Sequence, residues 1–231
     1  MKILCCDTSN RTCCSGLYED GKELSYEISF EKKTHSETFM PLVMRVCGKA
    51  GHDLSDTDAF AVTVGPGSFT GIRIGLAAVK GMALASGAGV IPVSSLKALA
   101  LSVENVAADP SDTVLVPCFD ARNDRVFAAA YSEETGEALV ADNAYYNKDL
   151  VRCLEQIPDS SSKNFIIVGD GADVIRRVLF FTDRADYAPG AMILPQGIMR
   201  AADGVDPVNG ASVTAVYCAA TRAERYENDK Q

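Results

Sequence analysis

The run Gly65-Pro66-Gly67-Ser68-Phe69-Thr70-Gly71-Ile72-Arg73-Ile74-Gly75 directly follows the apolar stretch AFAVTV at 59–64. An apolar run of strand length, stopped by Gly-Pro-Gly and followed by a helical pattern, is a strand-to-helix junction, the elementary unit of an α/β fold. Glycines at such a junction allow positive φ and close backbone approach, and the helix N-terminus presents unpaired N–H groups to an anion. The run is not a Walker A loop, because no Lys-Ser/Thr follows its last glycine, and it is not G-x-G-x-x-G, because the third glycine comes one residue late. It reads either as a phosphate cradle or as a tight turn that sets a helix against a sheet. Asp7-Thr8-Ser9, at the end of the first strand-like run, is open in the same way: acid and hydroxyls suit a metal–phosphate site, and they equally suit an Asx or Ser/Thr turn.

The order of elements around this junction is α/β. KILCCD (2–7), TCCSGLYE (12–19) and KELSYEIS (22–29) form three strand-like runs with short breaks, an antiparallel meander. A helix follows: Thr34 and Glu37 have capping-box spacing, Phe39, Val43, Val46 and Ala50 recur at helical spacing, and Gly51 suits its exit. A second helix is expected over 70–86, a strand over 90–93 and a third helix from Ser94 or Ser95. After a polar stretch at 105–112 come a hairpin (113–120 and 126–132), a helix near 148–156, a strand at 165–169 and a helix near 172–180. The chain thus divides into loosely related halves, 1–108 and 109–231, and the course of its last thirty or so residues is not legible.

Composition narrows the function. With 22 Lys plus Arg against 31 Asp plus Glu, the net charge is −9, which opposes autonomous binding to a polyanion. The longest charge-free stretch, Gly81 to Leu96, holds three glycines and a proline and is shorter than the ~20 apolar residues of a membrane span. No secretory h-region follows Met1, so a cytoplasmic location is expected and the eight cysteines read as reduced thiols, mostly small hydrophobes in strands. The two histidines, His35 and His52, are 17 residues apart and form no HxxxH or HExxH zinc pair. No G-x-S-x-G elbow supports a Ser/His/Asp triad. Asp120, Arg122, Asp124 and Arg125 cluster at the hairpin tip, where a solvated turn is the simplest reading.

DTSN (7–10), HSETFMPLV (35–43), AVTVGPGSFTGIRIGLAAVKGMALA (61–85), PVSSLKALA (92–100) and FDARNDRVFAAAY (119–131) together resemble the TsaB family, also called YeaZ, over about residues 1–132. VGDGAD (168–173) and PVNGASVTAVY (207–217) fit its looser C-terminal half. The resemblance implies an actin-like ATPase (ASKHA) fold of two βββαβα-type subdomains. It also implies a bacterial role in making threonylcarbamoyladenosine beside the tRNA anticodon. The family's catalytic relative, TsaD, carries two metal-binding histidines as HxxxH where this chain has Ser95 and Leu99, and neither residue can replace them as a ligand. By resemblance, then, the chain is a non-catalytic scaffold with no catalytic residue and no metal. It would pair with TsaD and with the small ATPase TsaE, reach tRNA only through that complex, and self-dimerise when alone. It would require no cofactor, with Asp7, Thr8, Ser9, Gly65 and Gly67 forming a vestigial site for weak ATP or ADP binding. The alternative is an independent actin-like phosphotransferase or hydrolase that uses ATP at Asp7 and the Gly-Pro-Gly turn.

The second helix bears on the partner. At 100° per residue Ile72, Leu76, Val79 and Ala83 make one stripe, suited to a core, and Ile74, Ala78, Gly81 and Ala85 make a nearly opposite one of mostly small residues. On the preceding helix Met40 and Met44 point away from Phe39, Val43 and Val46. Methionines are adaptable contact residues, so Met40, Met44, Ile74, Ala78, Gly81 and Ala85 are the expected partner interface. Both stripes would instead be core if the second half covered them.

Overall fold

The computed structural model describes residues 1–30, 34–103, 110–178 and 182–218. The first half contains β1 (Lys2–Asp7), β2 (Cys13–Glu19), β3 (Lys22–Ser29), α1 (His35–Lys49), β4 (Ala59–Gly65), α2 (Phe69–Ser86), β5 (Gly89–Ser94) and α3 (Ser95–Ala100). The second half contains β6 (Thr113–Arg122), β7 (Arg125–Ser132), β8 (Ala138–Tyr146), α4 (Asn147–Glu155), β9 (Asn164–Val168), α5 (Ala172–Arg176), β10 (Ala185–Ala188) and α6 (Pro195–Ala202).

The first sheet has strand order β3-β2-β1-β4-β5 and the second β10-β9-β6-β7-β8, which is the same topology read from the other edge. In each sheet three antiparallel strands form a meander, the first of them pairs in parallel with the fourth strand, and the fourth pairs in parallel with the fifth at the edge. This duplicated βββαβα arrangement is the actin-like fold. Residues 3–6 of β1 and 59–62 of β4 are continuous apolar runs because both of their faces are covered. Leu4, Cys6, Phe60 and Val62 pack under α1 and α2, while Ile3, Cys5, Ala59 and Ala61 face the space between the sheets. That space is filled by α3 and α6 with Leu115, Phe119, Tyr131 and Ile166 of the second sheet. On the outer face of the second sheet, α4 and α5 cover Val114, Val116 and Cys118. The layers therefore run helix, sheet, helix, sheet, helix.

Local signals set the helix ends. The Thr34 N–H and hydroxyl both donate to Glu37 Oε2, at 3.1 and 2.6 Å, ordering the first turn of α1. Ser68 caps α2 by accepting from the Gly71 N–H, and Gly87 ends it at φ +76°. By length and composition α2 could cross a membrane, but here Ile72, Leu76, Val79, Met82 and Ala83 pack onto the first sheet.

Several elements differ from expectation. β8, β10 and α6 carry no clear sequence signature. The helix expected over 172–180 spans only Ala172–Arg176, and the end of that range lies outside the described residues. Most of the polar stretch at 105–112, where the two halves were expected to divide, also lies outside them. The chain after β10 leaves the second sheet: α6 packs Ile198, Ala201 and Ala202 between the sheets, Val208 pairs with Val90 of β5, and Val213 joins the core under α2. By packing, residues 193–213 thus lie against the first sheet although they follow the second in sequence.

Candidate functional site

Asp7, Thr8, Ser9, Gly65 and Gly67 converge where the C-terminal ends of β1 and β4 meet the start of α2. Asp7 is fully buried. Its Oδ1 accepts from the Ser9 N–H (2.9 Å), the Ser9 hydroxyl (2.6 Å) and the Thr63 hydroxyl (2.5 Å), and its Oδ2 is buried with no partner. Burial disfavours the charged carboxylate more than these hydrogen bonds favour it, so the Asp7 pKa lies above the ordinary aspartate range.

The glycine run is closed against protein. A Cβ built on Gly67 would lie 2.3 Å from the Ser9 carbonyl oxygen, one on Gly71 2.0 Å from the Thr8 carbonyl oxygen, and one on Gly75 2.3 Å from Thr8 Oγ1. The Ser68 N–H donates to the Ser9 carbonyl and the Thr8 hydroxyl to the Gly71 carbonyl, each at 2.7 Å. Gly67, Gly71 and Gly75, spaced by four, form one seam along which the turn and α2 lie directly on the backbone of Ser9 and Thr8 and on the Thr8 side chain. Gly65, at φ +120° before a cis proline, faces the Val216 carbonyl, whose oxygen would be 2.3 Å from a built Cβ. Val216 in turn donates its N–H to the Val64 carbonyl at 2.7 Å. These contacts give the turn a packing role, the one of its two sequence readings that sets a helix against a sheet.

The second half repeats the turn as Gly169-Asp170-Gly171, between β9 and α5, with Gly169 at φ +98°. Asp120, exposed, occupies the place near the end of β6 that Asp7 occupies on β1. Asp170 accepts from the Asp120 N–H (3.1 Å) and pairs with Arg11 across the two halves (3.6 Å). A second bridge joins Asp142 of β8 to the hydroxyls of Ser94 and Tyr131. Neither bridge has a local sequence signature.

Ser95 and Leu99 are both fully buried, Ser95 Oγ without a partner and Leu99 within the core between the sheets. Among the described residues no three His, Cys, Asp or Glu side chains gather as a metal site requires. His35 bonds the Asn10 carbonyl (2.7 Å) and His52 the Thr57 hydroxyl (2.9 Å).

The six residues expected at a partner interface lie on the outer side of the α1/α2 layer. Met40 and Met44 are exposed, as are Gly81 and Ala85, while Ile74 and Ala78 are half-buried and Ala78 touches the edge of the core. Leu84, 87% exposed, belongs to the same surface and was not singled out by its sequence position.

The sequence profile of the family described as "TsaD: tRNA N6-adenosine threonylcarbamoyltransferase" matches residues 29–204. The chain is 34% identical over 161 residues to the tRNA threonylcarbamoyladenosine biosynthesis protein TsaB of Bacillus subtilis, covering 68% of this chain and 67% of that one. It is 31% identical to the protein of the same description from Escherichia coli, covering 58% and 56%. Among solved structures, a Pseudomonas aeruginosa protein described as similar to peptidase YEAZ superposes with a TM-score of 0.80 at 25% identity, covering 94% of this chain and 99% of that one.

Proposed function

Because the chain belongs to the TsaB family and so to tRNA threonylcarbamoyladenosine biosynthesis, we propose that it is a non-catalytic scaffold that docks a TsaD-like catalytic subunit through α1 and α2. The observation that carries the reading is the outer stripe of α2. A helix that is apolar almost all round is ordinarily buried on both sides, yet Gly81, Leu84 and Ala85 are open beside exposed Met40 and Met44. Small residues let a partner helix approach closely, and methionines adapt to its surface. The absence of activity of its own is supported by Leu99, an apolar side chain packed in the core at a position where the catalytic relative carries a histidine. In the same reading a TsaE-like ATPase joins the pair, tRNA is reached through the complex, and the same face serves a homodimer when the catalytic subunit is missing. The chain works in the cytoplasm.

Ala85→Glu tests the docking face. It puts an unpaired charge into the interface at an exposed position, at a cost of several kcal/mol, enough to erase a micromolar complex worth about −8 kcal/mol. Ala78→Glu does the same nearer the core. The expected result is a native circular dichroism spectrum with loss of TsaD-like subunit on a column; undiminished retention of both variants removes the reading. Incubated with tRNA, ATP, threonine, bicarbonate and the adenylate-forming enzyme, the chain alone should yield no modified nucleoside.

The buried, half-satisfied Asp7 favours one other reading, ATP-dependent phosphotransfer at that carboxylate. The carbonyls of Ser9 and Val216 against Gly67 and Gly65 weigh against it, because they set negative dipole ends where phosphate would lie. ATP should bind no tighter than the high micromolar range, about −5 to −6 kcal/mol. Low-micromolar binding by calorimetry would restore this alternative.

A further inference from the structure

We propose that Arg73 is a prepositioned carboxylate receptor on the α1/α2 face, taking an acidic side chain of the protein partner; this rests on the docking role argued above. The Arg73 guanidinium lies 3.8 Å from the Phe69 ring centroid and 5.8 Å from that of Tyr217, and its Nε donates to the Tyr217 hydroxyl at 2.9 Å. The two rings are 5.0 Å apart and tilted by 34°. Phe69 and Tyr217 are nevertheless 39% and 41% exposed, so the cluster is a surface feature. Exposed aromatic and arginine side chains held together are the composition of interface hot spots.

Charge points to the occupant. The chain as a whole is at −9, yet α1 and α2 together carry one acid, Glu37, against Arg45, Lys49, Arg73 and Lys80. Glu27 already pairs with Arg45 (2.6 Å) and Lys49 (3.1 Å), and among the described residues no carboxylate pairs with Arg73 or Lys80. An exposed ion pair ordinarily contributes little because two long side chains must be immobilised to form it. Here stacking and the Tyr217 hydrogen bond have immobilised one of them in advance, and the free Nη edge of the guanidinium can engage both oxygens of a carboxylate. An RNA phosphate has similar acceptor chemistry, but the adjoining surface is Ile74, Ala78, Gly81 and Leu84, suited to an apolar protein face.

The test measures affinity of the full-length chain for the catalytic subunit of its own organism. Arg73→Glu should weaken binding by about tenfold or more, and Arg73→Lys, which keeps the charge but loses the planar fork, should fall between it and wild type. Tyr217→Phe, which frees Nε, should weaken binding less than Arg73→Glu. Ala85→Glu is run alongside. If Ala85→Glu abolishes binding while the Arg73 variants stay within about twofold of wild type, the receptor is overturned and the docking face stands. If neither site matters, both fail. If Arg73→Glu spares the subunit but costs the assembled complex its retention of tRNA, Arg73 meets phosphate and the proposal is overturned.

Discussion

Thr63 of β4 donates its hydroxyl to Asp7 Oδ1 of β1 at 2.5 Å, and Asp7 Oδ2, on the same buried carboxyl, has no partner. Burial therefore dominates, and the folded-state pKa of Asp7 lies above its unfolded value. The native state binds this proton more tightly than the unfolded chain, so the contribution is fully present below the unfolded aspartate pKa of about 3.9 and is lost as pH rises through the folded pKa. Asp7→Asn cannot ionise. Its melting temperature should gain on wild type from about pH 4 upward and then hold a constant difference. A difference between the two that does not change with pH would mean that Asp7 is charged in the fold at no cost.

Two glycines of α2 should respond to alanine with opposite signs. Gly71→Ala drives a Cβ to 2.0 Å from the Thr8 carbonyl, backbone against backbone, so α2 must lift from β1. A loss of about 1–3 kcal/mol follows. Gly81→Ala meets nothing within 4 Å on an exposed helical surface and should gain about 0.5–1 kcal/mol from the better helix former. Urea denaturation measures both, and a destabilising Gly81→Ala would mean that the helix is not formed there as described.

The first half was legible because its apolar runs are buried on both faces and its turns are marked by Asn10, Gly21 and the Gly-Pro-Gly junction. β8 was not, because ALVADNAYY alternates weakly, whereas the equally exposed β3 is set off by the turn at Gly21. β10 and α6 are short, and the place of α6 between the sheets follows from tertiary packing that no local pattern specifies. At the site, Asp7-Thr8-Ser9 and the Gly-Pro-Gly turn were each legible as strand-end motifs, and the family resemblance grouped them. Thr63 and Val216 were not legible: one reads as strand filler, and the other lies 152 positions from the Val64 it bonds. The outer stripe of α2 was legible from helical spacing alone, whereas its openness depends on where the second half packs.

Asp142 of β8 accepts from Ser94 of the first half and from Tyr131 of the neighbouring strand β7, so the Ser94 bond links the two halves and Tyr131 holds its acceptor. Tyr131→Phe removes one donor to a carboxylate and should cost about 1–2 kcal/mol. Ser94→Ala removes the other and also the α3 cap, since Ser94 Oγ accepts from the Lys97 N–H at 3.1 Å, so it should cost about as much or more. The two donors hold the two oxygens of one carboxylate, so the double variant should depart from additivity by about 0.5 kcal/mol or more in a double-mutant cycle. Strict additivity would separate Ser94 from Tyr131 energetically and remove the bridge.

The cysteines give a readout of which layers open first. Cys5, Cys6, Cys13, Cys14, Cys47 and Cys118 are buried, whereas Cys153 and Cys218 are half-exposed. Burial pushes the Cys13 thiol up to about 12 and raises those of Cys5, Cys6, Cys14, Cys47 and Cys118 as well, so their thiolate fraction is negligible at neutral pH. Burial, and then Asp142, also raises Cys218. Alkylation of the native protein, located by mass spectrometry, should therefore be fastest at Cys153, slower at Cys218 and confined to unfolding events at the other six. Two of those six should differ from one another. Cys14 faces the space between the sheets, where its Sγ donates to the Ile193 carbonyl at 3.5 Å beneath the segment that carries α6. Cys6 faces the α1/α2 layer. The chain at 193–213 returns to the first sheet only after the second sheet is complete, so it can peel away by breaking the Val208–Val90 bridge while every strand-to-strand pairing within the two sheets stays intact. Cys14 should then be labelled at lower urea than Cys6; simultaneous labelling would make residues 193–213 part of the same cooperative unit as the sheet they cover.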